Sequence, residues 1–295
     1  MRYENDIIKV VNYIEKNLQN DLYVEELTSN IGYSYYHFSR VFYSATGEKL
    51  GDYIRRRRLA EASIRLIETN DSILMIALDY QFQSQEAFTR SFKKVFGITP
   101  KEYRMNGVKS ISNTKFELNK DRLNHRFYKI DLKPDIVKIT EDKYLIGLEK
   151  SFTIRENIIP NIWDIFLSRF KEIKDSINEN ILYGMTIANF DIDFAKFNEN
   201  TKSKHFVGVE VKRYSEPPLG MKVEKINKGY YAVFRYKGSI KNIRNTYEYI
   251  WGTWAKNLKY NLRKDHQIEV YDQEFYDYDD ERNIIKIYMP IDIEE

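Results

Sequence analysis

Between Ser34 and Gly47 the apolar residues Phe38, Val41, Phe42 and Ala45 recur at helical spacing, and between Ser84 and Gly97 so do Phe88, Phe92 and Val95. Each stretch predicts a helix with one buried stripe, preceded by a serine suited to capping it. The two stretches are copies. Ser34 and Ser84, Phe38 and Phe88, Arg40 and Arg90, Phe42 and Phe92, Gly47 and Gly97, and Tyr53 and Tyr103 are each separated by 50 residues. The short amphipathic segments 24–31 and 73–80 lead into these helices through tight turns, which is the grammar of a helix-turn-helix. In the first turn Gly32 stands where a positive φ would be cheap. The second has Gln81 there and one extra residue before Ser84, so its turn is expected to differ in detail. A long helix over 50–68 connects the copies.

After residue 130 the period changes from helical to alternating. Candidate strands lie at 136–139, 144–152, 182–188 and 204–212, with a helix at 161–175 between the second and third. The order then repeats with strands at 221–226, 230–236, 268–272 and 284–291 around a helix at 240–258. The fold class is therefore multidomain: an all-α double helix-turn-helix domain at 1–106, a linker at 107–130, and an α+β domain at 131–295. The last has a duplicated ββαββ-type antiparallel sheet with helices on one face, leaving the other free to curve around a ligand.

Charge changes this picture only locally. The net charge of +3 divides into 16 basic against 14 acidic residues up to 110, 5 against 2 over 111–130, and 26 against 28 beyond. Nothing in so modest a balance argues for nucleic acid, so placement must. The faces opposite the buried stripes carry Tyr36, Ser39, Arg40 and Tyr43 in one copy and Gln85, Glu86, Thr89, Arg90 and Lys93 in the other. Two similar polar faces, repeated, suit one repetitive ligand, double-stranded DNA, read at two adjacent major-groove half-sites. Arg55-Arg56-Arg57-Arg58 is the dense basic run. Four consecutive helical residues spread around the axis, so one or two, Arg55 first, are expected at phosphates and the others solvated or paired with carboxylates such as Glu61.

The residues Ala77, Phe82, Ser84, Gln85, Phe88, Arg90, Phe92, Gly97, Thr99, Pro100 and Tyr103 resemble the second helix-turn-helix of the AraC/XylS family. The likeness extends upstream through Gly32-Tyr33-Ser34, Arg40, Phe42, Gly47 and Tyr53-Ile54-Arg55 to Leu59-Ala60. It implies a transcription regulator, more readily an activator than a repressor, with RNA polymerase as a protein partner. Gln81 departs from the glycine usual in the family.

In the alternating half lie all three tryptophans, Trp163, Trp251 and Trp254, and more than half of the 24 tyrosines. Rings around one inward carboxylate make a pocket for a lipophilic cation. Glu269, flanked by Ile268 and Val270 and sharing a face with Tyr271, is the candidate carboxylate, with Tyr236, Trp254, Trp251 and Trp163 as candidate lining. The runs Tyr231-Ala232-Val233-Phe234, Ile268-Glu269-Val270-Tyr271 and Tyr288-Met289-Pro290-Ile291, with Gly238 and Trp254, are similar to the GyrI-like small-molecule-binding domain. That resemblance implies a pocket carboxylate at Glu269 and a small lipophilic, often cationic effector. Two other readings stay open: a protein-interaction or sequestration module, and a hydrolase of electrophilic compounds using Glu269 with Tyr271 or Tyr236.

No Ser/His/Asp arrangement, metal cluster or phosphate loop is present in the sequence, so no enzyme, cofactor or catalytic residue is expected. His37, His125, His205 and His266 lie far apart and read as core or solvated histidines. Zero cysteines exclude disulfides. With no 18-residue apolar stretch and a charged start, the expectations are a cytoplasmic location, no membrane contact, and a monomer on an asymmetric site.

Overall fold

The computed structural model describes residues 2–111, 114–187, 197–212, 215–256 and 261–293. They group into two compact units, the first mainly helical and the second built on a sheet.

The helical unit begins with α1 (Arg2–Lys16), followed by α2 (Val24–Asn30) and α3 (Tyr35–Thr46) as the first helix-turn-helix. A 19-residue helix, α4 (Leu50–Glu68), leads to the second, α5 (Ile73–Asp79) and α6 (Gln85–Phe96), and α7 (Pro100–Asn106) closes it. The 50-residue repeat is reproduced in backbone detail. The Ser34 hydroxyl accepts from the His37 N–H and the Ser84 hydroxyl from the Ala87 N–H, and both 12-residue helices end on a left-handed glycine, Gly47 or Gly97. Each copy has its own core. Phe38, Phe42 and Tyr53 pack with α1 residues Val10, Val11 and Ile14, whereas Phe88, Phe92, Phe96 and Tyr103 pack with Leu59, Leu66 and Ile76. Every one of these rings is essentially solvent-free, and each contributes about 1.5–3 kcal/mol by burial.

The turns differ less than the sequence suggests. Gln81 adopts the same left-handed conformation as Gly32, with φ of 64° against 85°. Tyr33 N–H donates to the Thr28 carbonyl and Phe82 N–H to the Ala77 carbonyl, the same bond in both copies. The extra residue is absorbed after that point. The Gln81 amide donates to the Gln19 carbonyl at 2.7 Å, which helps offset the strain of a side chain at positive φ.

The stretch read as a linker contains helix α8 (Lys120–Tyr128), and Leu118 and Leu123 are buried in the core of the first copy. Phe116, Leu118, Leu123 and Phe127 stand among many polar residues, too sparsely to register as a period. Residues 247–256 also belong to the helical unit.

The sheet unit contains β1 (Asp135–Ile139), β2 (Lys143–Phe152), α9 (Ile159–Arg169), β3 (Leu182–Ile187) and β4 (Ser203–Val211). The second half follows as β5 (Lys222–Ile226), β6 (Gly229–Lys237), α10 (Arg244–Gly252), β7 (Asn261–Leu262), β8 (Gln267–Tyr271) and β9 (Ile284–Asp292), α10 passing into the helical unit from residue 247. The described strands form one antiparallel sheet in the order β1-β6-β9-β8-β3-β4-β2-β5, with β7 beside β9. Each half lends its first strand to the other's edge: β1 pairs with β6 and β5 with β2. Residue 188 and residues 257–258, at the ends of elements expected at 182–188 and 240–258, lie outside the described residues. The expected helix 161–175 is shorter, ending in a 3-10 turn at Phe170–Glu172.

Both faces of the sheet are covered. On one, Ile146, Leu148, Val207 and Val209 pack under Ile162 and Phe166 of α9. On the other, Leu145, Tyr183, Met185, Phe206, Tyr231 and Ile268 form a separate core as the sheet curls on itself. The face expected to be free for a ligand is thus filled with the protein's own side chains, because strands buried on both sides carry apolar residues at consecutive positions.

Candidate functional site

Two sites were expected; the residues of the first all lie in the helical unit, and those of the second are divided between the units. In the helical unit the polar stripes of α3 and α6 point to solvent. Tyr36 is 82% exposed, and Arg40 and Tyr43 are exposed with it. On α6 Gln85, Glu86, Arg90 and Lys93 are exposed, while Ser39 and Thr89 occupy the half-buried flanks of their helices. Glu86 is engaged: the Ser84 side chain and the helix backbone hold its carboxyl below the usual range, as expected for a carboxylate in a first turn.

The arginine run sorts by its partners. Arg55 is exposed and forms an i,i+3 pair with Asp52 at 3.0 Å. Arg57 is buried between Glu15 and Glu61, each at 2.7 Å, and also donates to the Lys115 carbonyl. Arg58 donates to the carbonyls of Leu18 and Asn20. Arg56 is buried, and its Nη2 has no partner among the described residues. Arg57 and Arg58 are therefore internal braces, Arg56 is buried, and Arg55 is the exposed member of the run.

In the sheet unit β8 brings Glu269 and Tyr271 to one face, and the Tyr271 hydroxyl donates to Glu269 Oε2 at 2.5 Å. Burial, reinforced by the Glu269 charge, pushes the Tyr271 phenol well above its ordinary range, so it stays a donor. Trp163 of α9 meets the Tyr271 ring edge-on at 4.9 Å, and Phe275 meets it at 5.0 Å. Directly across from Glu269 on β3 is Gly184. A Cβ there would stand 3.1 Å from Glu269 Oε2, 3.4 Å from His205 Nε2 and 3.4 Å from the Tyr271 ring. The absent side chain thus lets a carboxylate, an imidazole and an aromatic edge close on the Gly184 backbone.

His205 was not singled out by sequence. It is 1% exposed, and among the described residues neither ring nitrogen has a hydrogen-bond partner. Burial holds its pKa below the ordinary value, with Glu269 pulling the other way, so the ring is neutral at pH 7. Its signal in the sequence is the alternation of β4, which puts it on the same face as Val207 and Val209.

The other candidate lining residues lie elsewhere. Tyr236 shares the Glu269 face by register, through Ile285 and Ile287 of β9, but its hydroxyl donates to the Ser239 carbonyl. Trp251 and Trp254 fall in the segment that groups with the helical unit, outside the unit that carries Glu269. The helix expected to run unbroken over 240–258 is divided, with a 3-10 turn at Ile240–Asn242 before α10 and another at Trp254–Lys256 after it, and Thr253 between is buried with the helical unit. Among the described residues no group of three or more His, Cys, Asp or Glu is placed to hold a metal ion, and no helix is long and apolar enough to cross a membrane.

Comparison with known proteins falls along the same division. Residues 27–106 match a helix-turn-helix domain family, and residues 132–292 match the GyrI-like small molecule binding domain. The chain is 39% identical over 113 residues to the multiple antibiotic resistance protein MarA of Escherichia coli, covering 38% of this chain and 89% of that one. It is 42% identical over 105 residues to the HTH-type transcriptional activator AarP of Providencia stuartii, covering 35% and 78%. Similarity to the HTH-type regulator YbfP of Bacillus subtilis is 43% over 104 residues, and here the match spans only 35% of either chain.

Proposed function

The chain belongs to the AraC-type helix-turn-helix regulators that carry a GyrI-like small-molecule-binding domain, and from that premise we propose that it activates transcription in response to a lipophilic cation. The observation that carries the DNA-reading half is the pair of identically capped 12-residue helices, each exposing an arginine at the same position of its polar stripe. Arg40 and Arg90 read base edges, with Tyr36, Ser39, Gln85 and Thr89 beside them. Lys93 and Arg55 contact phosphate, and Glu86 serves chiefly its own helix start. One monomer occupies two successive major-groove half-sites. Activation is supported by the likeness to AarP, a named activator, and makes RNA polymerase the protein partner.

For the sensing half, Glu269 supplies the charge that holds a cation, and Tyr271 and Trp163 supply the rings against which it lies. Removing a buried charge partner weakens a cation far more than a neutral isostere. The experiment is DNA binding by the full chain with and without a lipophilic cation and its neutral isostere, in wild type and Glu269→Gln. The expected result is unchanged DNA affinity without effector, a response of the wild type to the cation, and loss of that response in Glu269→Gln. Equal responses of the two proteins would contradict the assignment.

A further inference from the structure

The second helical copy departs from the first at Gln81, where a glycine would take the same φ of 64° at lower cost. A side chain kept in a strained backbone position serves something other than the turn itself. The Gln81 amide donates to the Gln19 carbonyl at 2.7 Å. Gln19 lies between α1 and α2, ahead of the first helix-turn-helix, whereas Gln81 lies between α5 and α6, in the turn of the second. The bond therefore joins the two copies directly, without passing along α4.

The acceptor is itself held in place. Residues 17–20 form a tight turn closed by the Asn20 N–H on the Asn17 carbonyl. Arg58, near the middle of α4, donates to the carbonyls of Leu18 and Asn20 at 2.9 Å each, on either side of the one that Gln81 takes. The Gln19 side chain stands beside the Tyr80 hydroxyl, one residue before Gln81. On the second copy, Arg65 of α4 holds Asp71 at 2.7 Å and Asp79 at 2.6 Å, which fixes α5 to the same helix. The first copy, α4 and the second copy thus form a closed ring of contacts.

Resting on the proposal that one chain spans two half-sites, we infer that Gln81 is a positioning residue. Its bond to Gln19 fixes the separation and twist of α3 and α6, and so the number of base pairs the chain accepts between half-sites. One base pair more or less moves the second half-site by about 3.4 Å and turns it by about 35°. A long helix alone can meet such a change by bending, whereas with the ring closed the Gln81 bond must break first. The cost of breaking it sets how strongly the bridge discriminates. A neutral, solvent-exposed hydrogen bond is worth about fivefold in an equilibrium constant, so the bridge supplies about that factor against a misplaced half-site.

The test is binding of the full chain to a DNA site selected from random sequence, and to versions with one base pair added or removed between its half-sites. Wild type should bind the selected spacing at least about fivefold more tightly than either altered one. Gln81→Gly removes the bridge and leaves no strain, so it should bind the selected spacing within about twofold of wild type and lose about fivefold of the preference for it. Arg58→Met, which frees the Leu18 and Asn20 carbonyls while Gln81 stays, should relax the spacing in the same direction. A Gln81→Gly protein with the spacing profile of wild type, or one weakened alike at every spacing, would overturn the inference and leave the two-half-site reading intact. So would a wild type that needs both half-sites but is indifferent to their spacing. A wild type whose binding is unchanged when the second half-site is scrambled would overturn both.

Discussion

Gln81 shows what a single residue can carry. Its left-handed backbone costs about 1 kcal/mol relative to glycine, and its amide bond to Gln19 returns an amount of the same order. Gln81→Ala keeps the strain and loses the bond, so it should destabilise the chain by about 1 kcal/mol, whereas Gln81→Gly loses both and should stay within about 0.5 kcal/mol of wild type. Urea unfolding of the two variants checks this, and an alanine variant as stable as the glycine one would refute it. A second residue-scale expectation concerns Lys115, which is buried against Glu48 at 2.5 Å, with the Thr253 hydroxyl and the Tyr53 ring also facing it. Arg126 shares Glu48 at 3.0 Å. Burial, with repulsion from Arg126 and Arg56 outweighing the pull of Glu48, lowers Lys115 from its ordinary 10.5 to about 7. Between those values the unfolded chain holds a proton that the folded chain has released, so unfolding takes one up and stability rises with pH. Thermal stability should therefore increase from pH 7 to 9 in wild type and lose that slope in Lys115→Met. A wild-type stability that is flat or falls across that range would contradict this. Neither the cluster nor His205 was legible in the sequence, because their members come from distant segments, and only the fold shows that Glu48, Lys115 and Thr253 meet.

Among the elements, those with strong periods were read to within a residue or two. Helices α2, α4 and α5 and strands β2 to β6 follow the pattern because apolar spacing and turn chemistry agree there. The linker was misjudged for the opposite reason: α8 is mostly polar, and its burial depends on Leu123 finding a core built by α1 and α3. The arginine run shows the limit of charge as a signal, since Arg57 is fixed by Glu15, which lies 42 positions earlier. This separation of braces from contacts bears on α3 and α6. Arg40→Ala or Arg90→Ala should cost about 1–3 kcal/mol of specific binding and relax the choice of base at one position. Lys93→Ala and Arg55→Ala should weaken all sequences alike and lower the salt slope by about one unit each. Competition binding against a randomised site, repeated at several salt concentrations, separates the two behaviours. An Arg90→Ala protein with unchanged sequence preference would refute the readout assignment.

The whole molecule joins two repeats of different kinds. The helical repeat makes two similar exposed faces, whereas the repeat in the sheet exchanges edge strands and is covered on both faces. A face left exposed by duplication suits a repetitive ligand such as DNA. One chain is proposed to span two half-sites. This follows from α4, whose 19 residues extend about 28 Å at 1.5 Å per residue, close to the roughly 34 Å between successive turns of a major groove. Footprinting of the full chain on a selected site, with the bound stoichiometry measured on the same DNA, tests this most directly. One chain is expected to protect two major-groove segments about one helical turn apart on a site without a palindrome. Protection of a single segment, or a requirement for two chains on a palindrome, would contradict it.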